Sequence, residues 1–364
     1  QKYITMPRGR FYVLYVDFKK AFDSLVHQNI FNSLFNKGVH GNLLRVLISM
    51  YSNLKARVRV DDRITQSFLC NIGTRQGDIS SPIIFSLYIN DLCTYLREKC
   101  TGGIFITDEI PDILCILFAD DVANCADTAN NLQRQINSIS DFCKDTGMEV
   151  NLRKTEIIVF RNGGPLRHYE NWTLNGIKLN ITSVYKYMGI LFTPKLAWTA
   201  AKQKLSCQAR KAIYAIKNYE RPFGKFLHKE MFKMFDSMVT PILTFGSEVW
   251  GFEYSSVIEQ VQNQFCKEFI GVNSTVNNCM ALGECGRLPL CTIYHVKCIK
   301  YWCKLLSMPN NRYPKNCYKM LKSQDDIGRV NWATKVKELL FKYGFGFIWM
   351  SPEIGDVEWF ISEF

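Results

Sequence analysis

The sequence predicts an α+β fold, a strand-bearing first half followed by a helical second half, and three observations predict it. Apolar runs of strand length, rich in β-branched and aromatic residues, occupy 11–16, 113–118, 122–126 and the stretch ending at Phe160, with amphipathic segments between them. Beyond Pro194 the texture changes to helical periodicity. At 364 residues, 47% hydrophobic and 21% charged, the chain has ordinary globular composition and room for two or three cores, so disorder is not its default.

The first strand, 11–16, ends directly at Asp17, which places a carboxylate at a strand's C-terminal end; a turn or N-cap residue is the competing reading. In the segment that follows, Phe22, Leu25, Ile30, Leu34 and Phe35 mark one helical face, and Gly38 ends it. A second helix is expected over 43–51, then an exposed strand over 56–60. The loop Gly73-Thr74-Arg75-Gln76-Gly77-Asp78 sets two glycines around a guanidinium and an amide. Glycines let backbone approach a ligand closely, and Arg and Gln donate to phosphate or base. Ser80-Ser81-Pro82 then starts a helix to about Arg97.

At 113–126 the adjacent carboxylates Asp120 and Asp121 interrupt an apolar run, the pattern of two short buried strands with the pair at a hairpin tip. Asp61-Asp62 and Asp325-Asp326 are also Asp pairs, but in polar surroundings that suggest solvated turns. Two carboxylates at the mouth of a core repel each other and lose hydration unless a cation neutralises them, so a divalent metal is the economical hypothesis beside an ordinary polar turn.

Leu132, Ile136, Ile139 and Phe142 mark an amphipathic helix closed by Gly147, and 149–160 reads as a turn bearing Lys154 that feeds a strand. Two more short strands are expected at 174–176 and 184–192. Past Pro194, Trp198, Leu205, Ala209, Ile213 and Ile216 form an inward stripe, with Lys202, Lys204, Arg210, Lys211 and Lys217 falling largely elsewhere on the helix. A further helix over 228–239 is ended or kinked at Pro241. Residues 341–364 are aromatic-rich, and no fold is inferred for them.

Formal charge is +12, and residues 186–233 hold eleven Lys or Arg against two Glu, a block suited to a polyanion. The 14 Cys form no CxxC pair, and no secretory signal is recognisable. An intracellular protein with reduced thiols, in nucleus or cytoplasm and not secreted, is expected, without a membrane span. The cluster Cys285, Cys291, His295, Cys298 and Cys303 fits no zinc-finger spacing, and structural zinc is not expected. The chain opens at Gln1, not Met, and reads as a piece of a longer polypeptide.

A strand-end Asp, an RQG loop before a helix, an Asp-Asp hairpin and a later turn Lys occur here in the order of polymerase palm motifs. In this order VDFKKAFDS, GTRQGDISSP, FADD, GMEVNLRKTE and YKYMGILF resemble the motifs of reverse transcriptases, most closely those of non-LTR (LINE-type) retrotransposons. VTPILTFGSEVW and ALGECGRLPL resemble segments that follow the palm in these elements, so the likeness covers about 11–290.

The resemblance implies a right-hand palm, an antiparallel sheet with packed helices, over 1–193, with partial fingers, a helical basic thumb over 194–270 and a mostly helical extension over 271–364. It implies RNA-directed DNA polymerase activity, with a catalytically silent nucleic-acid-binding remnant as the alternative, because the basic fingers region and endonuclease that family members carry upstream are not in this chain. Asp17 and Asp120 would hold two Mg2+ ions, with Mn2+ a substitute, Asp121 beside them and the Phe18 carbonyl a further ligand. Lys154 would contact or protonate the leaving group. Arg75, Gln76 and Gly77 would meet the incoming dNTP, and Phe22 would exclude a 2′-hydroxyl. Tyr187, Met188 and Gly189 would brace the DNA primer, and the five basic residues after Pro194 would hold an RNA·DNA duplex formed on the RNA template.

Overall fold

The computed structural model describes residues 2–6, 9–75, 77–100, 102–108, 112–223, 226–351 and 354–364, except for the side chains of residues 2, 5 and 220–223. The fold is α+β, as expected. Its centre is a five-stranded sheet of β1 (Arg10–Val16), β2 (Cys115–Phe118), β3 (Asp121–Ala126), β4 (Glu156–Arg161) and β5 (Asn180–Ile181), in spatial order β5-β4-β1-β3-β2. β1 is antiparallel to β3 and β4, in registers Val16↔Val122 and Tyr15↔Glu156, and β5 runs parallel to β4.

Being central, β1 is buried on both faces, which explains its unbroken apolar run. Tyr12, Leu14 and Val16 enter a core shared with the helices His27–Asn36, Ser80–Lys99 and Ala129–Thr146. Val13 and Tyr15 enter a smaller core with Ile4, Ile158, Phe160 and Tyr185. The helix Ala129–Thr146 starts at an N-cap Thr128 whose side chain accepts from Asn131 N, and its stop at Gly147, with φ +76°, is the one expected.

Several expectations change. Both strands of the 113–126 hairpin were expected to be buried, but only β3 is. β2 is the sheet's edge, and Ile116 and Phe118 on its outer face are exposed, Phe118 at 61%. The helix predicted from Phe22 begins only at His27. Residues 19–24 form a turn with Lys20 at φ +46°, its backbone committed to Asp23 N→Lys20 O and Lys19 N→Glu149 O bonds. Phe22 and Leu25 therefore reach the core from a turn, and Phe35 points to solvent. The expected exposed strand at 56–60 is two fragments, Lys55–Ala56 and Arg59–Val60, in separate hairpins. The segments at 174–176 and 184–192 are each part of a whole hairpin, because Asn175-Gly176 and Met188-Gly189 adopt the paired positive φ of a two-residue turn. Asp325 is no solvated turn. It closes the helix Tyr313–Asp326, buried, and accepts from Thr334 Oγ1 (2.7 Å) and Lys337 Nζ (3.3 Å).

Beyond the sheet the chain is helical, beginning with Thr199–Phe223. The expected 228–239 helix is α-helical over His228–Met234 and π-helical over Phe235–Val239. Pro241 follows in Thr240–Leu243, directly continuous with the π-helical turn, and offers that turn no N–H, so the irregular turn sits where the regular ladder is interrupted. One core gathers Leu205 to Tyr294 and another Cys298 to Phe360, joined by the helix Leu290–Ser307. The aromatic tail packs on the second of these: Trp349 stacks on Trp302 at 6.0 Å, and Phe360 is buried beside Phe345. All 14 cysteines are free thiols. No helix among the described residues is long and apolar enough to cross a membrane.

Candidate active site

The ladders on both sides of β1 end at Val16 and Tyr15, so Asp17 leaves the sheet with its backbone unpaired there. The turn 149–155 takes over. Asn151 N donates to Asp17 O (2.7 Å), Asp17 N donates to Thr155 Oγ1 (3.2 Å), and Phe18 bridges Val150. The Asp17 carboxylate, 32% exposed, accepts at Oδ2 from Asn151 Nδ2 (2.9 Å), and Lys154 Nζ lies 3.8 Å from the same oxygen.

Antiparallel pairing of Val16 with Val122 carries the two chains onward to Asp17 and Asp121, so residues 104 apart in sequence meet at one end of the sheet. Asp120 sits on the two-residue tip between Phe118 and Asp121, whose other member, Ala119, is forced to φ +51°. Both Asp side chains are exposed, not lodged in the mouth of a core, because the edge strand β2 covers one side only. Mutual crowding is nonetheless felt. The Asp121 carboxyl is pushed above its ordinary range, first by partial burial and then by the Asp120 and Asp17 charges.

The donor set suits a hard divalent cation. Among the described residues no side chain donates to Asp17 Oδ1, and the strand register sets Asp121 across from Asp17, with Asp120 its neighbour in the chain. Among the described residues no three His, Cys, Asp or Glu side chains form a ready-made cage. Mg2+ is typically held by one or two carboxylates, with substrate phosphates and water filling its octahedron, so the facing carboxylates of Asp17 and Asp121, open to solvent, fit that ion. The Phe18 ring is buried, and its backbone belongs to the same turn.

Next to this cluster the Phe22 turn is tied to the glycine loop. Gly73 N donates to Leu25 O and Thr74 N to Phe22 O, both at 2.8 Å. Gly73 needs its φ of +85° and its missing side chain, since a Cβ would lie 2.9 Å from Asp23 O. The Phe22 ring lies 4.4 Å from that of Phe85 and is only partly buried. Arg75 holds Asp78 at 3.7 Å, and Gly77 has φ +82°. Ser80 N and Oγ donate to Asp78, which lowers its carboxyl pKa. Gln76 lies outside the described residues.

The hairpin Tyr185–Tyr187/Ile190–Phe192, turning on Met188-Gly189, packs on the sheet's other face. Tyr15 stacks on Tyr185 at 4.1 Å and meets Tyr187 at 5.2 Å. Burial and then the Asp121 charge raise both hydroxyls to about 12, which puts this hairpin within electrostatic reach of the carboxylates. A Cβ on Gly189 would lie 2.9 Å from the Phe245 ring.

The five basic residues of Thr199–Phe223 divide by face, as 100° per residue requires. Lys202 lies inward, half-buried, its Nζ 5.1 Å over the Trp250 ring, and burial lowers its pKa. Arg210 donates to Gln264 (2.5 Å) and Lys217 pairs with Glu268, both on the helix Ser256–Ile270. Lys204 and Lys211 lie on the opposite face, Lys204 half-buried and Lys211 exposed.

Asn151, Thr155, Tyr15, Tyr185 and Phe245 were not legible as site residues. Their signal is a long-range contact, except that Asn151 and Thr155 sit in the same turn as Lys154 and could have been weighed with it.

The family profile described as "Reverse transcriptase (RNA-dependent DNA polymerase)" matches residues 2–192. Among curated proteins, the chain is 26% identical over 189 residues to the "Retrovirus-related Pol polyprotein from type-1 retrotransposable element R2" of Nasonia vitripennis, covering 50% of this chain and 18% of that protein. It is 22% identical over 260 residues to the "Probable RNA-directed DNA polymerase from transposon BS" of Drosophila melanogaster, covering 68% and 27%. The apo telomerase of Candida tropicalis aligns at 14% identity and a TM-score of 0.42, covering 100% of this chain and 53% of the other. The chain thus spans well under half the length of these two curated relatives. The chain belongs to the reverse transcriptase (RNA-dependent DNA polymerase) family, among those of non-LTR retrotransposons.

Proposed function

We propose that this chain is the catalytic part of an RNA-directed DNA polymerase, which adds dNMPs to a DNA primer 3′-hydroxyl on an RNA template. The observation that carries the reading is the register of β1 against β3, which sets Asp17 beside the Asp120-Asp121 tip with Lys154 at hand. Reverse transcriptases generally use divalent metals. Asp17 and Asp120 would hold two, Mg2+ or in its place Mn2+, with Asp121 and the Phe18 carbonyl as further oxygen donors. Ions so held would supply Lewis acidity that makes the primer hydroxyl easier to ionise and positive charge to offset that of the triphosphate and departing pyrophosphate.

The chain's own side chains do the rest. Lys154, mostly exposed on its turn, swings from Asp17 to give a proton to the departing pyrophosphate oxygen. Arg75, Gln76 and the backbone of Gly77 contact the nucleotide phosphates or base. Phe22, held in place by Thr74, crowds C2′ of the sugar and favours dNTPs over rNTPs. Tyr187, Met188 and Gly189 brace the primer end, and Lys204 and Lys211, with Arg210 and Lys217 further round the helix, hold the RNA·DNA duplex by its phosphates, whereas Lys202 is turned inward over the Trp250 ring. The units are a palm over 1–193, a thumb over 194–270 and an extension over 271–364, of which Ala281 to Tyr294 complete the thumb's core.

Extension of a labelled DNA primer on an RNA template, with dNTPs and Mg2+, tests this. Incorporation that disappears in Asp120→Asn is expected. Incorporation unchanged in that variant overturns the reading.

A further inference from the structure

The turn Asn151-Leu152-Arg153-Lys154-Thr155 does more than present a lysine. Three of its residues grip Asp17, each at a different atom or from a different direction. Thr155, wholly buried, accepts the Asp17 N–H through Oγ1. The Asn151 backbone N–H closes on Asp17 O, while its side-chain amide donates to Asp17 Oδ2 at 2.9 Å. Lys154 Nζ approaches that same Oδ2. The turn itself is stiffened from within, since Asn151 O accepts from Lys154 N and Thr155 N, and Asn151 Oδ1 from Arg153 N. Both ends of the Asn151 amide are therefore engaged, one in shaping the turn and one in holding the carboxylate.

The asymmetry at Asp17 has a chemical consequence. A free carboxylate can chelate a cation with both oxygens or rotate between them, but here Oδ2 is taken by a neutral amide donor and a cation. Among the described residues no donor reaches Oδ1, on the carboxylate that the β1/β3 register sets beside Asp121. A side-chain amide is suited to this task. It satisfies Oδ2 without adding charge to a place where Asp17, Asp120 and Asp121 already crowd, and its planar geometry fixes the carboxylate's rotation.

Resting on the polymerase reading above, we propose that Asn151 is the positioning residue of the metal site: it holds Asp17 Oδ2 so that Asp17 binds a divalent cation through Oδ1 alone. Lys154 then has a dual position. It shares Oδ2 when no nucleotide is present and leaves Oδ2 to Asn151 when it turns to the leaving group, so the carboxylate does not rotate as the lysine departs.

The test is Mn2+ binding by the whole 364-residue chain, read without nucleotide from the loss of the free-ion paramagnetic resonance signal. Asn151→Ser keeps a short oxygen to accept Arg153 N and shape the turn but cannot reach Asp17. It is expected to weaken Mn2+ binding about tenfold or more, the usual cost of losing a residue that orients a metal ligand. Primer extension should then show a raised requirement for metal with the KM for dNTP within about twofold, because the nucleotide's own contacts are untouched. Mn2+ affinity within twofold of the parent in Asn151→Ser, while Asp120→Asn loses it, overturns the positioning role and leaves the polymerase reading standing. Absence in the parent chain of any Mn2+ binding that depends on Asp120 overturns both. Should Asn151→Ser not fold, the parent protein crystallised with Mn2+ decides: Oδ1 alone on the ion with Asn151 still on Oδ2 supports the inference, and both oxygens on the ion refute it.

Discussion

The hairpin of Arg59–Val60 and Arg63–Ile64 turns on Asp61-Asp62, and the hairpin of β2 and β3 turns on Ala119-Asp120 with Asp121 next in line. In both, the first tip residue is forced to positive φ, Asp61 at +52° and Ala119 at +51°. Here the likeness stops. The outer hairpin is exposed along both strands, and its nearest cation is Arg59, three residues away, 3.8 Å from an Asp62 side chain that is fully in water. The inner hairpin is joined through β3 to the centre of a sheet. That join brings up Asp17, and behind Asp17 a turn carrying Asn151 and Lys154. A pair of carboxylates becomes a site through what tertiary pairing sets beside it. The third pair, Asp325-Asp326, makes the same point from the other side, since burial and Lys337 turn Asp325 into a helix-end anchor.

The contrast is open to breaking at its strongest point first. Asp120→Asn should lower nucleotide addition by about a thousandfold or more, the several kcal/mol expected when a metal ligand is lost, whereas Asp62→Asn should stay within about twofold. Comparable losses in single-turnover primer extension would erase the distinction between the hairpins. Next come their cations. Lys154→Gln should cost about a hundredfold in kcat as a lost proton donor, against almost nothing for Arg59→Gln. A loss confined to KM would make Lys154 a phosphate contact instead.

Stability sharpens the comparison further. Val122 is 1% exposed and Val60 is 60% exposed. Val122→Ala should destabilise by about 2 kcal/mol in urea unfolding and Val60→Ala by less than about 0.5 kcal/mol. Equal effects would mean that the outer hairpin has a packing partner. The smallest effect lies at the tips. Ala119→Gly should stabilise by about 0.5 kcal/mol, relief of a left-handed alanine less the entropy of glycine. Asp61→Gly should give less than that, because Asp tolerates this conformation by bonding to its own backbone. Thermal midpoints of the two variants would decide it.

Local chemistry made much of this molecule readable in one dimension. The apolar run before Asp17, the Gly147 stop and the stripe from Leu205 to Ile216 follow from side-chain periodicity and backbone preference, which act over a few residues. The order of Asp17, the Arg75 loop, Asp120-Asp121 and Lys154 was likewise plain in the chain. What the sequence could not give depends on neighbours far away. Phe22 reaches the core from a turn because Glu149 O and Thr74 N claim the backbone around it. β2 is half exposed because it is an edge strand, and edges are set by sheet order, not by composition. In the sequence Lys202 is one basic residue among five, yet the Trp250 ring draws it inward, while Gln264 and Glu268 engage Arg210 and Lys217. The Asn151 amide on Asp17 spans 134 residues, and no local rule reaches that far. Propensity and pattern fixed which residues could do chemistry, whereas strand register and burial decided which of them meet, because desolvation and Coulomb forces depend on distance in space and not along the chain.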